Sequence, residues 1–320
     1  MLKKELASEF HFHKIELPFT SSGIIPIFFN LLYLRRFKKG IFHITGDVHY
    51  AILALPTDST ILTIHDLIFL HSYKGIRRAF LKWIFLTLPI KKAKFITAIS
   101  EKSKQEIIDH TNCDPNKILV IPNPVDPAFL QPSQPPQLSQ PLPIRASHSR
   151  DPRPQPVLLF LGTKPNKNLE LSIASLHGLP VHLRIIGKLT SKQLEMLNKF
   201  AIDHSNIHGI SDQELYKEYA NCDIVLFPST YEGFGLPVIE GFQAGRPVIT
   251  SNISPMKEVA SGAALLVDPT SIASIRNAII ELTNNEGLRN QLIAAGNERV
   301  NEFQPENIAS KYSELWRKIS

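Results

Sequence analysis

The sequence predicts an α/β protein built from two doubly wound, parallel-sheet domains, and three observations predict it. Residues 1–130 alternate short β-branched or apolar runs with helical runs. Residues 157–320 begin the same alternation again with a fresh set of apolar strands. Between them, residues 131–156 are proline-rich, polar and without an apolar period, the composition of a semi-extended linker. A length of 320 residues also suits two cores better than one. The expected organisation is therefore a domain at 1–130, a linker at 131–156, and a domain at 157–320 that includes the last helices.

In the first half, residues 1–22 read as a helix and a strand at 13–17, and 24–39 as a helix that starts apolar and ends basic. A strand at 41–44 and a helix near 50–55 precede the β-branched run STILTI at 59–64. That strand delivers His65 and Asp66 at its carboxyl end, the edge where open α/β sheets bind ligands. A helix at 76–89, a strand at 94–99, a helix capped by Ser100 and a strand at 118–121 complete the half. In the second half, strands are expected at 157–161, 181–186, near 207, at 223–227, 248–250 and 263–267, with helices between and after them.

The stretch from Ser229 to Thr250, STYEGFGLPVIEGFQAGRPVIT, carries the clearest chemistry. A buried strand leads into Glu232, Gly233 and Gly235. Pro237 then opens a helix, where its missing N–H is no loss. A glycine-bearing turn meeting a helix start exposes backbone N–H groups at the positive end of the helix dipole, a geometry that favours a phosphate or another anion. Glu232 in the turn and Glu240 one turn into the helix are placed to face one ligand. A solvated helix carboxylate is the plainer reading of Glu240.

Charge and composition narrow the function further. The net charge of +6 sits unevenly: 17 Lys and Arg against 11 Asp and Glu in residues 1–130, but 15 against 17 in 156–320. The basic excess includes Arg35, Arg36, Lys38 and Lys39, then Arg77, Arg78 and Lys82, then Lys91, Lys92 and Lys94. The first and last of these clusters follow apolar runs, which suits an anionic membrane surface or an anionic acceptor as well as a solvated helix face. Nucleic acid is not expected, because no recognition motif or regular aromatic interleaving accompanies the charge. No run reaches the roughly 20 apolar residues of a membrane helix. The N-terminal residues lack the pattern of a signal peptide, so a cytoplasmic protein, peripheral at the inner face of the membrane, is the expectation. Cys113 and Cys222 lie far apart without metal-ligand spacing and read as structural thiols. His43 and His49 flank Gly46 and Asp47 with no matching carboxylate or cysteine set, which leaves structural or acceptor-side roles and no metal site.

Several segments, taken in order, resemble the retaining glycosyltransferases of the family-4 type. They are GTKPNKN at 162–168, RIIGK at 184–188, SDQEL at 211–215, PSTYEGFGLPVIEGFQAGRPVITSN at 228–252 and MKEVASGAALLVDP at 256–269. TIHDL at 63–67, ISEKS at 99–103 and IPNPVD at 121–126 are similar in the first half. The resemblance implies two Rossmann-like domains facing a cleft, the GT-B fold. It implies transfer of a sugar, with retained anomeric configuration, from a nucleotide-diphosphate donor to a glycan or lipid-linked acceptor in surface polysaccharide or glycolipid synthesis. By resemblance, Glu232 binds donor-sugar hydroxyls, and Glu240 accepts hydrogen bonds from the ribose. Lys167 neutralises the diphosphate, and the backbone of Gly233, Phe234, Gly235 and Leu236 holds the distal phosphate or the sugar. Gly187 and Lys188 line the donor pocket, Asp212 belongs to the base pocket, and His65 projects toward sugar and acceptor. No Asp-x-Asp stands in the sequence, so transfer without a metal or other cofactor is expected, with lysine and helix dipole in the role of the ion.

Three departures accompany the resemblance. Thr163, by resemblance one of the diphosphate-binding positions, stands where many relatives carry arginine, leaving Lys164 as the second cation for the diphosphate. Pro124 stands where glycine is common. The strand and glycine-rich loop with which relatives begin have no counterpart, so the first domain is expected to lack its first strand–loop unit. The alternative function is a truncated or non-catalytic relative that binds nucleotide-sugar without turnover.

Overall fold

The structure is a computed structural model that describes residues 2–126 and 155–319; all of the linker but Gln155 and Pro156 lies outside the described residues. The chain divides into two compact units, Met1–Pro124 with Pro305–Ser320 and Val125–Gln304.

The first unit holds β1 (Phe42–Ile44), β2 (Thr60–Ile64), β3 (Phe95–Ala98) and β4 (Ile118–Val120) in the order β1-β2-β3-β4, every pair parallel. Each residue of β2 is buried, as in a strand covered on both faces. Successive side chains point to opposite sides. Leu62 and Ile64 join a core with Leu86, Ile96 and Ile107, while Ile61 packs with Ile121, Ile308, Tyr312 and Trp316. The last helix, Pro305–Arg317, thus covers one face of the first sheet. The expected assignment of this helix to the second domain is corrected here. Its apolar stripe completes a layer that the first sheet would otherwise leave open, and Ser313 and Arg317 both donate to the Glu9 carboxylate, at 2.8 and 2.6 Å.

A polar thread runs through that layer. His43 Nε2 lies 2.7 Å from the Thr63 hydroxyl, which lies 2.6 Å from the Thr97 hydroxyl. The His43 ring rests against Tyr312 and Trp316 at 5.1 and 5.8 Å. Burial, and then the neighbouring His65, push the His43 pKa down to about 4, so the ring is held neutral.

Two local departures have physical causes. Residues 13–17, expected as a strand, run as irregular chain. The helical run expected at 76–89 spans Gly75–Lys82, a π turn at Trp83–Thr87, and Leu88–Lys92. Pro89 lies inside it and has no N–H to give to the carbonyl four residues earlier. That carbonyl, of Phe85, instead accepts from His49 Nδ1 at 2.9 Å.

The second unit holds six parallel strands: β5 (Val157–Leu161), β6 (His182–Ile186), β7 (His204–Ile207), β8 (Ile224–Phe227), β9 (Val248–Ser251) and β10 (Leu265–Val267). Their order is β10-β9-β8-β5-β6-β7, so the winding reverses between β5 and β8. In an open α/β sheet the loops that leave such a pair diverge to opposite faces and open a ligand crevice at the strands' carboxyl ends. In the first unit the four strands wind in one direction with β1 at the edge, and no such reversal occurs among the described residues.

Neutral burial of His43 predicts acid sensitivity. Below 6.5, the ordinary histidine value, the unfolded chain takes up a proton that the folded protein refuses until about 4. Stability is therefore full above that window and declines through it as pH falls, by about 3 kcal/mol from this ring. Thermal melts followed by circular dichroism across this window should show the decline, and His43→Gln should flatten it.

Candidate functional site

The reversal between β5 and β8 places two loops together, 162–168 and 228–235. In the first, Pro165–Lys167 forms a 3-10 turn and Asn168 takes a left-handed conformation, φ 67°. The Asn168 amide fixes the turn by donating to the carbonyls of Pro228 (3.1 Å) and Pro269 (2.7 Å). The Asn166 carbonyl accepts from the Thr230 N–H at 2.8 Å, and its side chain donates to the Tyr231 carbonyl at 2.9 Å. The two loops are thus knitted along their length before any ligand is considered.

This knitting brings Lys167 Nζ to 2.6 Å from Glu232 Oε1, with both side chains at least four-fifths buried. The Lys167 stem crosses Gly162, where a Cβ would stand 2.9 Å from its Cγ. Any larger residue at 162, already at φ 84°, would push the lysine out of the pair. The ammonium also lies 4.8 Å from the centre of the Phe227 ring. An ammonium has three donors, so Lys167 can hold Glu232 and still donate to phosphate oxygens.

The helix Leu236–Gln243 starts beside this pair, with Gly235 as its left-handed N-cap and proline in its first turn. It lies tight on the sheet: a Cβ on Gly241 would come within 2.7 Å of Val248 Cγ2. Phe234 is buried with its ring against Phe303 at 5.7 Å, so only its backbone is available to a ligand. Glu240 accepts from the Tyr219 hydroxyl at 2.5 Å. Burial raises the Glu240 pKa, with Asp126 and Asp212 adding to it; Tyr219 and Lys167 oppose the rise. Those influences place Lys167, Asp126, Asp212 and Tyr219 around one carboxylate.

The remaining expected residues fall around this centre. Thr163 donates to the Lys188 carbonyl at 2.7 Å, so it braces the loop after β6. Gly187 passes so close to Thr163 that a Cβ would meet its methyl at 2.9 Å. The Lys164 side chain is exposed at the start of the turn. Lys188, also exposed, borders a cavity of about 310 Å³ with Leu194, Asn206 and His208. Asp212 begins a helix capped by Ser211 and Glu214.

The sequence reading missed Tyr219, Asn166 and the hydroxyl of Ser229. The last is buried at the end of β8 without a partner. Tyr219 gave no signal, because a tyrosine on an amphipathic helix reads as core until its hydroxyl is seen to meet Glu240.

In the first unit, His65 stands at the carboxyl end of β2, its Nε2 bonded to the Thr45 carbonyl at 2.8 Å. Asp66, the next residue, accepts from the Ile68 N–H at 2.9 Å. A carbonyl only accepts, so Nε2 carries the hydrogen. Nearby, a cavity of about 230 Å³ is lined by Asp47, His49, Asp66, Phe69, Tyr73 and Phe85, among others. His49 gives its Nδ1 hydrogen to Phe85, and its Nε2 lies buried without a partner. Burial lowers the His49 pKa, so that nitrogen presents a lone pair. Among the described residues, no group of three or more His, Cys, Asp or Glu is arranged to hold a metal ion.

Comparison with known proteins agrees with both units. Residues 4–129 match the model of Glycosyltransferase Family 4, and residues 145–299 match that of Glycosyl transferases group 1. The chain belongs to the glycosyltransferases of GT-B fold. It is 25% identical over 293 residues to O-antigen chain mannosyltransferase B of Escherichia coli, covering 87% of this chain and 74% of that protein. It is 26% identical over 263 residues to the serotype-specific mannosyltransferase WbdA of Escherichia coli; the match takes in 76% of this chain but only 32% of that longer protein. Among solved structures, a glycosyltransferase from Rickettsia africae superposes with a TM-score of 0.73 at 19% identity, covering 99% of this chain and 87% of the other. Anabaena Alr3699/HepE in complex with UDP and glucose superposes with a TM-score of 0.72 at 16% identity, covering 92% and 82%.

The geometry of the second unit predicts two graded losses. Lys167→Ala should weaken the binding of a nucleotide-diphosphate sugar by about tenfold or more, the cost of one hydrogen bond to a charged group. Tyr219→Phe should leave the fold intact and weaken binding by a smaller factor, about three- to tenfold, because one neutral donor to Glu240 is lost. Isothermal titration of both variants, with melting temperature as the folding control, checks the order.

Proposed function

We propose that the protein transfers a glycosyl group from a nucleotide-diphosphate sugar to an acceptor hydroxyl, retaining the anomeric configuration and using no metal ion, in the synthesis of a surface polysaccharide or glycolipid. The observation that carries this reading is the Lys167–Glu232 pair, held between two loops at the sheet's reversal and beside a helix start.

The donor fits these groups chemically. The leaving diphosphate gains negative charge in the transition state, and preorganised positive groups there lower the barrier. Lys167 and the N–H groups from Gly233 to Leu236 are such groups; exposed Lys164 is a second cation within the same loop. Glu232, whose carboxylate Lys167 orients, faces the hydroxyls of the transferred sugar. Glu240, steadied by Tyr219, accepts from the ribose hydroxyls. The Ser229 hydroxyl is a further donor for a phosphate oxygen. Asp212, Gly187 and Lys188 border the base. Because Lys167 and the helix terminus meet the diphosphate charge, no cation is required of the solvent.

The acceptor reading rests on the first unit. The cavity beside His65 combines two carboxylates, a histidine lone pair and three aromatic rings. Carboxylates and a lone pair accept from hydroxyls, while aromatic faces pack against the C–H face of a pyranose. A glycan acceptor suits that mixture. The mannosyltransferase relatives named for O-antigen chains support a surface polysaccharide as the product, and the UDP and glucose in the Anabaena structure support a nucleotide-sugar donor.

A thermal-shift panel of UDP-, GDP- and ADP-sugars should raise the melting temperature with one base in preference to the others, since a ligand of the folded state stabilises it. The purified protein should then hydrolyse that donor slowly without acceptor, and Glu232→Gln should reduce the rate by about 100-fold or more. A shift without any hydrolysis, unchanged by Glu232→Gln, would instead assign the protein as a donor-binding relative without turnover.

A further inference from the structure

Two helices of the first unit turn apolar side chains toward solvent. On Ile24–Leu34 these are Ile24, Ile25, Phe28, Phe29 and Leu32, between 45% and 75% exposed. Their spacing of one, four, five and eight residues from Ile24 makes a single face. On the run from Gly75 to Lys92, Ile76 is 90% exposed, Phe80 48% and Trp83 51%. A helix in water normally buries such a face, and an apolar surface of this extent marks an interaction site.

The two helices are neighbours. Both pack on the short helical segment His49–Ala54. Within it, Tyr50 accepts from Asn30 Nδ2 at 2.9 Å, and its ring meets Phe85 edge-on at 5.7 Å. Lys92, at the end of the second helix, lies within the field of Arg35 and Lys38, just past the end of the first. The carboxyl ends of the two helices therefore lie close together, and both helices turn an apolar face to solvent on the same unit.

Charge identifies what covers it. Residues 24–39 carry Arg35, Arg36, Lys38 and Lys39; residues 74–94 carry seven more Lys and Arg; neither stretch has one Asp or Glu. The guanidinium carbons of Arg36 and Arg77 stand over the rings of Tyr33 and Tyr73, 4.2 and 4.4 Å from the ring centres. We infer that this surface docks on an anionic lipid bilayer, with Ile24, Phe28, Ile76, Phe80 and Trp83 entering the interface and the basic side chains meeting lipid phosphates. A second copy of the chain is the poorer occupant, because its identical face would set these eleven cations against eleven more, and neither stretch holds a carboxylate to answer them. Neither helix crosses the bilayer: among the described residues, no helix is long and apolar enough to do so. Buried apolar area and attraction to anionic lipid are the two contributions that hold an interfacial helix at a bilayer, and this surface offers both. The inference does not depend on the glycosyl-transfer reading.

Co-flotation with phosphatidylglycerol–phosphatidylethanolamine vesicles, compared with phosphatidylcholine vesicles, tests it. Binding should favour the anionic vesicles by about tenfold or more and fall away near 0.5 M salt. The pair Arg77→Glu/Arg78→Glu and the pair Phe80→Ser/Trp83→Ser should each lower the bound fraction by about tenfold, with circular dichroism melts showing that both fold. In a Trp316→Phe background, Trp83 emission should shift to the blue and be quenched by lipids brominated in the acyl chain. No binding to anionic vesicles at low salt, or binding that both variant pairs leave unchanged, overturns the inference. So does a dimer that Phe80→Ser/Trp83→Ser disperses without any vesicle binding, which assigns the face to a second copy.

Discussion

The constraint on which the second unit depends is the reversal of winding between β5 and β8. Parallel strands joined by right-handed crossovers send their helices to one face of the sheet until the strand order turns back. At the turn, the loops after β5 and β8 part to opposite faces, and their backbone groups have no sheet neighbour above them. The chain meets this with Asn166 and Asn168, whose side chains and carbonyls tie one loop to the other. Only with both loops fixed can Lys167 and Glu232 stand 2.6 Å apart in a largely buried position. The ion pair is thus a consequence of topology: a positive group and a carboxylate fixed at the edge where the sheet opens.

Much of this was legible because local chemistry and global fold agree. The β-branched runs at 59–64 and 157–161 are strands because parallel sheets bury both faces, and such runs have nowhere else to go. The interval from Glu232 to Glu240 was readable because the glycines and Pro237 fix a turn and a helix start between them. What failed to show has a common cause: it depends on tertiary partners. Residues 13–17 alternate polar and apolar side chains, yet no strand edge receives them. Nothing in the stripe Ile308, Tyr312, Leu315 and Trp316 says which sheet it covers. The bond from His49 to the carbonyl that Pro89 leaves idle joins residues 36 apart.

The two units solve the burial of polar groups differently. The first keeps its buried histidines neutral and satisfies them with hydroxyls and carbonyls, so its interior carries little charge. Eleven of its Lys and Arg fall in residues 24–39 and 74–94, most of them exposed, with no Asp or Glu among them. The second buries carboxylates instead. Glu232 has an ammonium at hand, and Glu240 a phenol, with the charges of Asp126 and Asp212 working against it.

That last arrangement argues for a ligand on stability grounds. A carboxylate that is largely buried, opposed by two like charges and served by a neutral hydroxyl costs the free protein folding energy. An apolar residue of similar size would pack against Tyr219 at no such cost. Lys167 is close enough to influence Glu240, yet its nearest bond goes to Glu232. The charge on Glu240 is therefore incompletely answered within the chain, and hydroxyl donors from outside are what would answer it. Under the proposed function, a ribose with its two adjacent hydroxyls would supply such donors, and its diphosphate would lie toward Lys167. The same logic holds at the lone pair of His49, where a buried acceptor waits beside two carboxylates for a donor that the first unit does not provide. In each unit, then, one acceptor that folding leaves incompletely matched, Glu240 in the second and His49 Nε2 in the first, is a group that a sugar hydroxyl would complete.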